Sequence, residues 1–357
     1  MLGLLDGLRV LDLTVWRPGP YATQLLAELG ADVLKVEPPG GDPMRVFPGL
    51  FDILGAGKRS VVLDLKDGSQ RARFLELARD SDAVVESYRP GVADRLGVGA
   101  ESVRAVNPRV VYCSISGYGA DGPLAPRPGH DVNYLATSGM LAPRGGDPIE
   151  PTVPLADLTG GLAGAFAIAA ACLGAQRSGT GERIDLSITD VLATWVGPFD
   201  VIEQTGIDEP MTGAPGYGVF ETADGRHVAL GITNEDHFWV GLCDALELDD
   251  AVRALDRRDR TAATHTLNAR IAERIKMMPL DAMLARFDAH DVPASAVITR
   301  AEMLRSSHLR ARGTVVEGPD HAPTMGPLLL LESFPARAPI GAPELDANAG
   351  EGWRADA

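Results

Sequence analysis

The sequence predicts an α/β protein in which a large domain built on a mostly parallel sheet is joined to a smaller domain. Three observations lead there. Apolar, β-branched runs alternate with helical patterns through the first half of the chain, which is how βαβ units read. At 357 residues the chain is too long for one compact layer stack and too short for three. A stretch rich in Pro and Gly, Pro210 to Gly218, then separates that half from a hairpin and a run of helices, and is the best linker.

The first unit is Arg9 to Leu13 (RVLDL), a Pro-Gly-Pro turn at Pro18 to Pro20, a helical ATQLLAELG, and a second strand from Ala31 to Glu37. The next is Ser60 to Leu65, the periodic helix SQRARFLELARD, and DAVVESY, which Arg89-Pro90-Gly91 breaks after Tyr88. Arg109 to Gly119 supplies another strand. Gly160 to Gln176, rich in Ala and Gly, reads as a closely packed helix, followed by a turn, a strand and a helix in SGTGERIDLSITDVLATWVG. Beyond the linker, GVFETADGRHVALGI is a hairpin across Ala-Asp-Gly. Helices over Glu235 to Leu246, Thr261 to Met277 and Leu280 to His290 precede a strand in VPASAVIT, and TVVEG and PLLLLESF read as return strands. The last residues have no such pattern. With right-handed crossovers, ligands gather at the carboxyl ends of the strands.

Composition excludes several functions. Lys and Arg number 33 against 49 Asp and Glu, a net charge of −16 that repels phosphate polymers, so no nucleic acid is expected as partner. Cys113, Cys172 and Cys243 lie far apart without CxxC spacing, so neither a disulfide framework nor a metal site is indicated. No basic leader and no uninterrupted apolar span occurs, so a cytoplasmic protein without a membrane partner is expected. GxGxxG, GxxxxGK[ST], GxSxG and paired i, i+4 histidines are all missing, which leaves nicotinamide, P-loop, serine-hydrolase and zinc-hydrolase chemistry without a motif.

Candidate chemistry concentrates between Pro128 and Gly164. His130, after Gly129 and before Asp131, and Asp157, before a Gly/Ala helix, are two carriers of protons. Each has a plainer reading: His130 as a loop histidine bonded to Asp131 or a carbonyl, Asp157 as the N-cap of a helix starting at Leu158. A carboxylate at a helix start is stabilised, and the same amides can hold a developing oxyanion. Glu235 opens a helix beside Asp236 and His237, where a solvated helix start is the plainer reading. Lys58-Arg59, Lys66, Arg89 and Arg95 fall near strand ends, where they can hold an anion or simply face water.

Taken together, GLRVLDL, PGPYATQLLAELGADVLKVEPPGGDPMR, GKRSVVLDLK, ESYRPGVADRLG, ISGYGADGP, RPGHDVNYLATSG, LADLTGG and SGTGERIDLSITD resemble the family III CoA-transferases (the CaiB/BaiF group), whose other branch holds the α-methylacyl-CoA racemases. The match is dense from Gly7 to about Asp190. It implies a Rossmann-like large domain, 1–200 completed by 305–345, a small α+β domain over 210–300, a flexible tail at 346–357, and two subunits interlocked as a homodimer. The implied ligand is an acyl-CoA, with coenzyme A part of the substrate and no other cofactor or metal required.

In the racemase branch the GHDxNY histidine and the ADxxGG aspartate flank the α-carbon, matching His130 and Asp157, while Glu235 matches the glutamate of an E-x-x-F motif that supports the histidine. The segments lining CoA match Leu63, Asp64, Leu65 and Lys66, and Gly129, Asp131, Val132, Asn133 and Tyr134, with Tyr88, Arg89 and Arg95 nearby. The expected activity is therefore a 2-methylacyl-CoA racemase or epimerase working through an enolate. In the transferase branch the same aspartate is a nucleophile; Glu37-Pro38-Pro39 is a phrase nearer that branch, and NEDHF lacks the proline that racemases tend to carry after the glutamate. A non-catalytic acyl-CoA-binding protein is the third reading.

Overall fold

The computed structural model describes residues 3–142, 147–205, 214–233, 235–318, 321–333 and 341–353, with no account of the side chains of 199–205. The chain divides into two compact units, Met1–Gly197 with Arg310–Ala357, and Pro198–Leu309.

The first unit alternates strictly at its start: β1 (Arg9–Leu13), α1 (Pro18–Glu28), β2 (Asp32–Glu37), α2 (Pro48–Leu54), β3 (Arg59–Val62), α3 (Gly68–Arg79), β4 (Ala83–Glu86), α4 (Val92–Arg95), α5 (Ala100–Val106) and β5 (Val111–Ser116). Then come α6 (Asp131–Thr137), α7 (Leu155–Ser178), β6 (Arg183–Ser187) and α8 (Ile188–Thr205). The six strands are all parallel, in the order β3-β2-β1-β4-β5-β6. The order reverses between β1 and β4, so a crevice opens beyond their carboxyl ends, at Thr14 to Arg17 on one side and Ser87 to Arg89 on the other.

Because side chains alternate along a strand, each strand feeds two cores. Val10, Val33, Val85 and Cys113 face α1 and α7, whereas Leu11, Leu34, Val84 and Tyr112 face α3 and α5. Helix α7 is long and apolar enough to cross a bilayer, but its glycines lock it into the first of these layers. A Cβ at Gly161 would lie 2.7 Å from Pro18 O, and one at Gly164 3.0 Å from Ile115 Cδ1, so the row of small residues sets how closely α1 and β5 approach. The same row puts the start of α7 against the start of α1.

Charge is buried beneath the crevice. Asp12 Oδ2 receives Lys58 Nζ at 2.8 Å and Thr23 Oγ1 at 2.7 Å; Lys35 Nζ lies 2.7 Å from Asp42 Oδ2 and donates to Thr14 O. Burial alone would raise the Asp12 carboxyl, but Lys58 and Lys35 hold it well below the usual carboxylate range. Lys58, conversely, is pushed down to about 8 by burial, against the pull of Asp12. Lys58 and Arg59 were expected among anion holders; both are buried, and Arg59 forks onto Asp32 at 2.9 and 2.8 Å. Glu37 is likewise an anchor, gathering Asp42 N, Arg45 and Ser60 Oγ, so Glu37-Pro38-Pro39 fastens the loop after β2.

Two expectations for the chain's end change. PLLLLESF forms no strand over its described residues; the return hairpin is β10 (Val315–Glu317) against β11 (Pro323–Met325). Residues 346–353, expected to be a flexible tail, are fastened to β3 and α3. Asp346 Oδ1 accepts Val62 N–H at 2.8 Å, Asn348 N–H donates to Ser60 O at 3.0 Å, and Trp353 Nε1 donates to Leu77 O at 3.0 Å. The physical reason is that β3 is an edge strand, whose open backbone groups need partners that no periodicity in the tail announces. Residues 354–357 lie outside the described residues.

The second unit pairs β7 (Tyr217–Glu221), β8 (His227–Gly231) and β9 (Ala294–Ala296) in an antiparallel sheet, the hairpin turning at Ala223-Asp224-Gly225. It packs on α9 (Asp236–Leu246), α12 (Thr264–Ile275) and α13 (Leu280–Ala289), with α10 (Asp250–Arg253) and α11 (Arg257–Ala262) between α9 and α12. The helix expected over Thr261 to Met277 is thus two, broken at Ala263. Of the expected linker, residues 210–213 lie outside the described residues.

Candidate active site

The site is built by three chain segments that end at the carboxyl edge of the large sheet. From β5 the chain runs through Gly117 to Gly129 and enters α6. Gly117 and Gly129 both lie under the Tyr134 ring, where a Cβ would come within 2.1 and 2.6 Å of it. Tyr134 Oη donates to Gly129 O at 2.6 Å, Tyr118 packs edge-on at 5.2 Å, and Asp185 accepts from Ala120 N–H at 3.0 Å. These contacts set His130 at the N-cap of α6, where its own N–H is held by Asn133 Oδ1 at 3.0 Å and its side chain is exposed.

Helix α7 supplies Asp157. It is not the cap: Pro154 holds that place, the helix starts at Leu155 rather than Leu158, and Asp157 is its third residue. The Asp157 N–H donates to Asp131 Oδ1 at 2.9 Å, joining the first turns of α6 and α7. That bond withdraws one amide expected to be open to an oxyanion, leaving that of Leu155 in the turn, Ala156 being fully buried.

The carboxyl of Asp157 is half-buried and is pushed up to about 6, first by burial, then by the negative charge of Asp131; Arg17 and His130 pull the other way. Asp157, Asp131, His130 and Arg17 are therefore electrostatic neighbours. Arg17, at the N-cap of α1, escaped sequence reasoning because the RPGP phrase was read only as a turn. Tyr134 is raised to about 12 by burial and Asp157, with Arg89 opposing, which puts Arg89 in the same electrostatic neighbourhood.

The remaining expected ligand-binding residues differ in what they can offer. Leu63 and Leu65 point into the core shared with α3, so only their backbone is open to a ligand. Asp64 is half-buried and accepts Lys66 N–H, while the Lys66, Arg89 and Arg95 side chains are exposed near strand ends. Tyr88 is half-buried and raised to about 12 by burial and Glu86. Val132 is exposed on α6. Glu235 belongs to the other unit, at the N-cap of α9, with Thr233 Oγ1 donating to its Oε2 at 2.7 Å.

The model of CoA-transferase family III matches residues 5–349. An acetyl-CoA:oxalate CoA-transferase of Acetobacter aceti is 33% identical over 367 residues, covering 96% of this chain and 93% of that one. A human α-methylacyl-CoA racemase is 33% identical over 349 residues, covering 91% and 86%. Among solved structures, Rv3272 of M. tuberculosis superposes with a TM-score of 0.86 at 27% identity over 97% of this chain and 98% of that one. A CAIB/BAIF family protein of Brucella suis does so with 0.84 at 26%, over 97% of each.

Proposed function

The chain belongs to CoA-transferase family III, and from that premise we propose that it is an acyl-CoA racemase or epimerase that moves the α-proton of a 2-substituted acyl-CoA between His130 and Asp157. The observation that carries the reading is the pairing itself: a histidine at a helix start beside a carboxyl whose proton affinity burial and Asp131 have raised to about 6. A carboxyl tuned that near neutrality exchanges protons in both directions. Neutral His130 takes the proton from one face and protonated Asp157 returns one to the other; with the opposite proton placement the direction reverses. The enolate oxygen formed between the two steps needs donors already in place, and the first-turn amide of Leu155 is suited to it, Ala156 being fully buried. Coenzyme A enters only as part of the substrate.

In this reading the working unit is an interlocked homodimer. Support for a second copy is the apolar row Leu162, Phe166 and Leu173 along α7; Phe166 is 76% exposed, more than an isolated chain should leave to water. Sedimentation at micromolar concentration gives the mass.

Incubation with a 2-methylacyl-CoA in deuterated water tests the chemistry. Deuterium at the α-carbon, lost in His130→Ala, is the expected result. A second reading, CoA transfer, is favoured by the 33% identity to the oxalate transferase across nearly the whole chain. Asp157 would attack the thioester carbonyl and expel CoA thiolate, giving an anhydride. The thiolate would then take the aspartyl carbonyl and release the first acid, and a second carboxylate would reverse both steps. Absence of exchange, with hydroxylamine trapping an acyl group at Asp157, overturns the racemase in favour of this.

A further inference from the structure

A single hydroxyl joins the two sides of the crevice. Ser87 follows β4, and its Oγ accepts the Val15 N–H at 2.9 Å and donates to Val15 O at 3.2 Å. Both backbone groups of a residue beyond β1 are thus held by one half-buried side chain from the opposite wall. The rest of the turn from β1 into α1 is braced from its own side. Lys35 Nζ donates to Thr14 O at 2.8 Å and Lys58 Nζ to Pro20 O at 2.9 Å. Thr14 also packs on Gly19, where an added Cβ would stand 2.3 Å from Thr14 Cβ. Between these braces lies the tip, Val15 to Pro18. There Trp16 holds a left-handed backbone (φ 64°), a conformation a bulky residue keeps only where its surroundings impose it, and the residue before it is the one Ser87 grips.

The bridge also spaces two guanidiniums. Two residues after Val15, Arg17 acts on the Asp157 carboxyl; two after Ser87, Arg89 acts on Tyr134, whose ring covers Gly129 just before His130. The two walls are not equally fastened. The Tyr88 N–H donates to the buried Glu86 carboxyl at 2.6 Å, which keeps the β4 side in place without Ser87, whereas the β1 tip carries the strain and relaxes when released. We propose that Ser87 is a positioning residue that holds the Trp16–Arg17 tip against the loop after β4 and so sets where the Arg17 charge stands relative to Asp157. The inference rests on the acyl-CoA reading of the site and holds for either proton exchange or acyl transfer. Ser87 does not act on substrate itself, because its hydrogen is committed to Val15 O.

Ser87→Ala, which removes both bonds, and Ser87→Thr, which keeps the hydroxyl, are compared with the unaltered protein in whichever activity it shows, α-deuterium exchange or CoA transfer. For Ser87→Ala we expect kcat to fall roughly ten- to a hundredfold, as a small misplacement near the chemistry gives. Affinity for CoA, measured by calorimetry, should stay within about threefold, because the β4 wall does not move. The limb of the pH–rate profile that reports Asp157 should move to higher pH: Arg17 pulls that carboxyl down and now acts from farther away, while Asp131, His130 and Tyr134 on α6 keep their places. Ser87→Thr should return both rate and profile towards those of the unaltered protein, and Ser87→Cys, a weaker donor and acceptor, should show the same shift in smaller measure. An unchanged rate in Ser87→Ala overturns the role of Ser87 and leaves the acyl-CoA reading standing, as does a slowed variant whose limb stays where it was. An unaltered protein that binds no CoA and shows neither activity overturns both together.

Discussion

The Asp157 N–H donates to Asp131 Oδ1 at 2.9 Å, so the two carboxyl groups of the site are tied through one backbone amide across the first turns of α6 and α7. The bond fixes the distance at which one negative charge acts on the other. It also makes Asp131 a positioning residue whose effect passes through Asp157.

Asp131→Asn keeps an acceptor oxygen for that amide and removes the charge. The Asp157 carboxyl then loses the second of the two influences that raise it, and the limb of the pH–rate profile that reports Asp157 should move to lower pH. A profile of kcat/KM from pH 4 to 9 checks it; an unmoved limb would assign that titration to another group.

Asp157→Asn should abolish turnover and stabilise the fold at high pH. The native carboxyl titrates at about 6 against 3.8 for the free side chain, so the folded chain keeps a proton that the unfolded chain has released. Stability therefore falls as pH rises from about 4 to about 6 and stays lower above it, by about 2–3 kcal/mol. The variant should melt higher than the unaltered protein at pH 8 and equally at pH 3.5. Calorimetry at the two pH values decides.

His130→Ala removes an exposed ring, so its melting temperature should stay within about 2 °C of the unaltered protein while deuterium exchange at the α-carbon disappears. A large loss of stability would mean the ring holds the loop rather than a proton.

Beneath the site, Lys58→Met leaves Asp12 fully buried without the ammonium bonded to it. We expect a loss of about 3–5 kcal/mol in urea unfolding, and partial recovery on adding Asp12→Asn. Simple additivity of the two losses would show that the pair is not coupled.

Ending the chain after Leu345 removes the groups that occupy the β3 edge. The shortened protein should lose about 2–4 kcal/mol and scatter light at concentrations where the full chain does not, since an open edge strand recruits others.

Periodicity made the parallel sheet legible, because strands buried on both faces and helices with one apolar stripe leave their spacing in the residues themselves. Arg9 to Leu13 and Ala31 to Glu37 lie within a residue of β1 and β2. His130 and Asp157 were legible as residue types in a glycine-bounded stretch. Only the fold decided that Asp157 sits in the first turn with its amide given to Asp131, that Lys58 and Arg59 are buried partners of Asp12 and Asp32, and that Arg17 stands beside the site. Each of these depends on which backbone groups and charges meet across distant segments. Burial and pairing, not residue type, determine whether a charged side chain supports the fold or remains available for a ligand.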